Sequence, residues 1–221
     1  MKFKYIIKND SDKERWLEVI AVLITGILKF VLMDWLEFRL FYVTAACLFW
    51  LIYIYRKKRN HPDWLESWGF QKSNLKKSLL FLLPFVLLCI GGIIVYGLYA
   101  NARFLNWHVI PILILYPIWG LIQQFMMAGL VAGNLKKLTV LDFADWQIIL
   151  FTSFLFAMVH YPSIPLMIFA FVMEIIFVRS YFKWPNLWSL GLYHGWIGGL
   201  FLYFVMGRDL WSELWVVFSN T

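Results

Sequence analysis

Seven apolar stretches divide this chain, at roughly 16–33, 40–55, 78–100, 108–131, 146–160, 164–182 and 187–206. They constrain its fold more than any other feature. A backbone inside hydrocarbon must satisfy its own hydrogen bonds, and helices do so within one segment. With 62% of its 221 residues hydrophobic and only 15% charged, the chain has too little polar surface to cover itself in water. The expected fold is all-α, a polytopic transmembrane helix bundle of about seven spans. The second and fifth stretches are short against the roughly 20 residues a span needs. The segment DLWSELWVVF (209–218) is shorter still, and predicts an interfacial helix at the C-terminal end.

The net charge of +7 does not make this a nucleic-acid binder, because the cations sit beside the apolar stretches. With the N-terminus in the cytoplasm, Lys2, Lys4, Lys8, Lys13 and Arg15 fall inside. So do the basic loop RKKRNHPDWLESWGFQKSNLKK (56–77), Lys136, Lys137, Arg179 and Lys183. Only Arg39, Arg103 and Arg208 fall outside, while Lys29 lies within the first stretch. The expectation is an integral membrane protein whose N-terminus is cytoplasmic and whose C-terminus lies on the opposite side. The lipid bilayer is its first partner, and the basic loop contacts anionic lipid. His61 in that loop reads as solvated, and His108 as an interfacial histidine. Cys47 and Cys89 read as small core residues, and no cleavable signal peptide is expected. Trp16, Trp35, Trp64, Trp107 and Trp184 stand near span ends and predict an interfacial aromatic belt.

The polar residues inside apolar stretches are few. Gln123 and Gln124 are adjacent in YPIWGLIQQFMMAGLVAG, and two amides in hydrocarbon need hydrogen-bond partners. His160 follows in FLFAMVHYPS and His194 in NLWSLGLYHGWIGG, with Glu174 between them. At 1.5 Å per residue, Gln123, His194 and Glu174 lie roughly 10–12 Å from the inner ends of their stretches, and His160 about 20 Å. Helical spacing places Ala128 on the face of Gln124, and Phe156 on that of His160. Gly191, Gly195 and Gly199 form a small-residue stripe, with His194 and Gly198 along its edge. That stripe predicts a closely packed helix neighbour, as does the pair Gly129 and Gly133.

The order and spacing of these residues resemble the CAAX prenyl-protease and bacteriocin-processing family (CPBP, or Abi). Its members carry EExxxR on one membrane helix, FxxxH on a later one, and HxxxN or HxxxD on a last one. Here the corresponding runs are QQFMMAG at 123–129, FAMVH at 156–160 and HGWIG at 194–198. PNLW at 185–188 is similar to the family's entry into its last motif helix. The resemblance covers about residues 105–206. It divides the chain into N-terminal spans with the basic loop (1–104), a motif-bearing core (105–206) and a C-terminal interfacial segment (207–221), all in one bundle.

The resemblance implies an intramembrane endopeptidase. A glutamate and the histidines activate a water, metal-bound or metal-free, that attacks a peptide bond near a prenylated or other membrane-associated C-terminus. By position, Gln123 and Gln124 stand for the glutamates, Ala128 for the arginine and Gly198 for the asparagine or aspartate. Only Phe156, His160 and His194 match as written. A glutamine orients water but takes no proton from it, and general-base catalysis supplies about 10²–10⁴-fold in rate. Two histidines without a nearby carboxylate also fall short of a zinc site, so neither a metal nor a cofactor is expected. Glu174 is a substitute acid from another helix, and Trp196 a lining residue of the pocket or a lipid contact. Three readings stay open. One is a protease with weakened or rerouted chemistry. The second is a pseudoprotease acting as scaffold, chaperone or immunity factor. The third is a small transporter, which would explain the polar residues but not the motif order.

Overall fold

The computed structural model describes residues 12–60, 63–100 and 106–219, and no strand occurs among them. His61 and Arg103, like Lys2, Lys4 and Lys8, lie outside the described residues. The apolar stretches form helices α1 (Asp12–Leu28), α2 (Arg39–Asn60), α4 (Leu75–Tyr99), α5 (Val109–Gln124), α7 (Asp145–Met158), α8 (Ile164–Lys183) and α9 (Leu187–Leu200). Shorter helices are α3 (Trp64–Ser67), α6 (Gly133–Lys137) and α10 (Leu210–Ser219). Helix α10 occupies the segment expected to be interfacial.

Five helical runs are long and apolar enough to cross a membrane: Asp12–Trp35, Arg39–Asn60, Leu75–Tyr99, Val109–Lys137 and Ile164–Lys183. Helix α7 stays short, at 14 residues. Three runs widen into π-helical turns, at Lys29–Trp35, Phe125–Ala132 and Phe201–Val205. The second begins directly after Gln124, and such turns recur at functional sites. Large apolar side chains face outward, among them Trp35, Leu51, Leu88, Ile114 and Ile168. In water this surface would be untenable, whereas hydrocarbon solvates it.

The chain forms two compact units. The first comprises Met1–Gln71 and Phe125–Pro185, the second Lys72–Gln124 and Asn186–Thr221.

In the first unit, α7 and α8 pack against each other, and the π-helical turn Phe125–Ala132 packs against α1, α7 and α8. Trp50, Trp68 and Phe70 surround Phe125 at ring-centroid distances of 6.2, 5.2 and 5.8 Å. A buried polar cluster ties the helices. Glu18 accepts from Asn134 Nδ2 at 2.7 Å and from the Tyr53 hydroxyl, with Lys57 Nζ 3.7 Å away. That carboxylate is saturated, as a buried charge must be. Trp64 departs from the expected aromatic belt: it is buried, packed on Trp68 with ring centroids 5.4 Å apart and with Lys57 Nζ 3.9 Å from its own. Cys47 also departs from expectation, since its thiol is free and half-buried rather than in the core. Lys29 is neutralised by Asp34 at 2.6 Å.

In the second unit, α5 and α9 run in close contact, with α4 against α9. The glycine stripe is the reason. A Cβ on Gly195 would stand 2.3 Å from Pro117 Cα, and one on Gly191 2.7 Å from Leu121 Cα. Gly120 reciprocates from α5, where a Cβ would meet Gly191 O at 2.7 Å. Lipid is as apolar as leucine, so this association rests on backbone-to-backbone dispersion contact rather than on the hydrophobic effect. Asn186 caps α9 by accepting from Ser189 N at 2.9 Å, which fixes where the last motif helix begins. Cys89 is a second free, half-buried thiol.

Candidate functional site

The glutamine pair stands at the end of α5, and only one member is fully buried. Gln124 has no exposed surface and His194 is 4% exposed. They meet inside the second unit, with Gln124 Nε2 3.2 Å from His194 Nδ1. An amide nitrogen only donates, so Nδ1 accepts and the proton of the neutral ring sits on Nε2. Gln123 is half-buried, but its Oε1 is shielded and accepts no hydrogen bond among the described residues. A shielded acceptor of this kind asks for a donor.

Gly198 borders the far side of the same imidazole. A Cβ there would lie 3.4 Å from His194 Cδ2, 3.7 Å from Nε2 and 3.6 Å from Tyr116 Cε1. A side chain at this position would therefore reach the protonated ring nitrogen, and glycine leaves that space to Tyr116. Tyr116 was missed by sequence reasoning. Its spacing signals it, since it precedes Gly120 by four residues and Gln124 by eight, on one face of α5. Trp196 is half-buried, and its indole N–H donates to Leu113 O at 3.2 Å, so it joins α9 to α5.

The remaining site residues belong to the first unit. Ala128 is fully buried in the π-helical turn, Phe156 is buried on α7, and Glu174 is fully buried on α8. His160 lies just past α7. Its ring stands edge-on to Phe156 at 4.8 Å, and its Nδ1 is 2.7 Å from Phe156 O. A carbonyl only accepts, so here Nδ1 carries the proton and Nε2 keeps its lone pair. The two imidazoles thus hold opposite tautomers. His194 is set as a donor at Nε2, and His160 as an acceptor or base. Thr152 and Ser153 add two buried hydroxyls on α7 with no hydrogen-bond partner among the described residues.

The resemblance admits a metal-bound water, and the donor set speaks to that. Catalytic zinc takes about three protein ligands plus an open position. Among the described residues, no group of three or more His, Cys, Asp or Glu side chains comes close enough to hold an ion. Gln124 and His194 supply one imidazole and an amide, which fall short of that set.

His108 proves to be more than an interfacial residue. Its Nδ1 lies 2.5 Å from Asp209 Oδ2, joining the start of α5 to the start of α10. Burial pushes the Asp209 carboxyl up. Hydrogen bonds from the His108 ring and from the Ser212 N–H and hydroxyl outweigh it, and hold the group below the usual carboxylate range.

A helical membrane protein with a neutral amide–imidazole pair buried between two glycine-packed helices is the class these features define. Residues 104–200 match the family model Rce1-like, described as type II CAAX prenyl endopeptidase Rce1-like. That segment is similar to the Rce1-like family of CAAX prenyl endopeptidases, in agreement with its motif order. No curated protein and no solved structure matches the chain.

Proposed function

We propose that this protein binds a membrane-associated peptide, prenylated or not, at the position of the family's active site, with hydrolysis weakened or lost. One observation carries the reading, the hydrogen bond from Gln124 Nε2 to His194 Nδ1. A carboxylate at position 124 would accept from Nδ1–H and leave Nε2 free to take a proton. The amide reverses that polarity, and the pair becomes a neutral hydrogen-bonding element. The His194 ring then carries its proton at Nε2, and Gln123 Oε1 is a shielded acceptor. A peptide N–H is a matching donor for that acceptor. On this reading Gln123, Gln124, His194, Tyr116 and Gly198 form the recognition pocket. Trp196 shapes its surroundings.

A second reading has its own observation. His160 donates through Nδ1 to Phe156 O, so its Nε2 lone pair is oriented as a general base. Glu174, fully buried on α8, would then serve as the substitute acid. This is a slower protease rather than a pseudoprotease. Binding and cleavage of one fluorescent farnesylated peptide by the purified protein separate the two. Saturable binding without cleavage supports the recognition reading. Cleavage that disappears in His160→Ala supports the second, and cleavage that persists in His160→Ala contradicts both.

A further inference from the structure

The four basic residues at the end of α2 do not share one role. Lys57 turns into the first unit, with its Nζ 3.1 Å from Glu14 Oε2 and 3.7 Å from Glu18 Oε1. Arg56 and Arg59 turn away. Both are exposed, and neither forms an ion pair or hydrogen bond among the described residues. With Ile52, Tyr55 and Asn60 they line one groove of about 580 Å³. Those five positions follow the i, i+3, i+4, i+7, i+8 pattern of a single helix face. The 22 residues of α2 extend about 33 Å, against a hydrocarbon thickness of about 30 Å. The apolar run of α2 ends at Tyr55 and the basic run begins at Arg56, which puts Tyr55 toward the hydrocarbon edge and the two guanidinium groups toward the headgroups.

We infer that this groove is a binding site for the phosphate of an anionic phospholipid headgroup. Guanidinium forks match phosphate oxygens in bidentate geometry. Two such groups three residues apart, with Lys58 between them, repel each other until an anion lies between them. The Asn60 amide and the Tyr55 hydroxyl add neutral donors, and Ile52 supplies the apolar contact that an acyl chain makes and a free phosphate ion does not. Lys57, held by two carboxylates, is already neutralised and takes no part.

The test is a lipid titration of the full-length protein in neutral detergent, followed by native mass spectrometry. The probes are short-chain phosphatidylglycerol, the matching phosphatidylcholine, and inorganic phosphate. Phosphatidylglycerol binds saturably and phosphatidylcholine does not. The Arg56→Ala, Arg59→Ala double variant weakens phosphatidylglycerol binding by about tenfold or more, since each near-surface cation contributes a factor of several. The double Arg→Lys variant keeps the charge but loses the fork, and recovers only part of the affinity. Lys58→Ala costs no more than the factor of several that any near-surface cation contributes, well short of the loss in the double alanine variant. All these side chains are exposed, so the fold is not at risk, and unchanged thermal unfolding verifies that. Three results overturn the inference: no loss in the double alanine variant, full recovery with lysines, or an equal loss with Lys58→Ala, which would mean a diffuse charge patch. Inorganic phosphate binding as tightly as the lipid would overturn its lipid source.

Discussion

An amide and a carboxylate are nearly the same size, yet they ask opposite things of the imidazole beside them. Gln124 gives a hydrogen to His194 Nδ1, and the ring proton moves to Nε2. Nitrogen chemical shifts of His194 should therefore show a protonated Nε2 in the wild type. They should show an unprotonated Nε2 in Gln124→Glu near neutral pH. An unprotonated Nε2 in the wild type would contradict the geometry. Gln124→Ala removes the amide donor in a fully buried place and should cost about 1–3 kcal/mol in thermal unfolding. The sequence made the glutamines visible, because polar residues are conspicuous in apolar runs. It did not show that Gln124, rather than Gln123, holds His194. Their two faces differ by one residue step, and only the packing of α5 on α9 decides between them.

The glycine stripe was legible in the sequence as a surface for close approach, but its partner was not. Glycine periodicity says that something packs there, and nothing in it names Pro117, Leu121 or Gly120. Gly195→Ala places a methyl 2.3 Å from Pro117 backbone atoms. It should destabilise by about 1–3 kcal/mol or more, as overpacking against rigid backbone does. Gly91→Ala meets nothing within 4 Å on α4 and should be neutral or stabilising in the same unfolding assay. The π-helical turn after Gln124 was not legible, since no residue type specifies it. Neither was the link between His108 and Asp209, which are 101 residues apart. Asp209 has a depressed folded pKa. Its contribution is thus complete above the ordinary carboxylate value of about 3.9 and is lost as pH falls through the lower folded value. Hydrogen exchange of α10 amides should accelerate over that acidic window in the wild type. Asp209→Asn should abolish the pH step, and an unchanged step in that variant would remove Asp209 from the account.

At the scale of the whole molecule, hydropathy made the all-α membrane fold readable, because spanning segments obey one solvent rule. The seven expected stretches reappear as helices, but only five of the described runs are long and apolar enough to cross a membrane. What hydropathy leaves unspecified is chemistry, since polar groups on different helices become a site only through packing. The proposed topology, with a cytoplasmic N-terminus, predicts that single cysteines near Lys76 and near Arg208 label from opposite sides of sealed vesicles, in a background lacking Cys47 and Cys89. Labelling of both from one side would refute it. The central claim is that the family pocket is kept for recognition while its carboxylate-driven chemistry is gone. The most direct measurement pairs equilibrium binding with single-turnover cleavage of one farnesylated peptide, for the wild type and for Gln123→Glu with Gln124→Glu. The account predicts saturable wild-type binding that is weakened by His194→Ala. It also predicts wild-type cleavage at least about 10²-fold below that of any reversion that regains a general base. Wild-type turnover matching an active reversion, or no peptide binding at all, would contradict it.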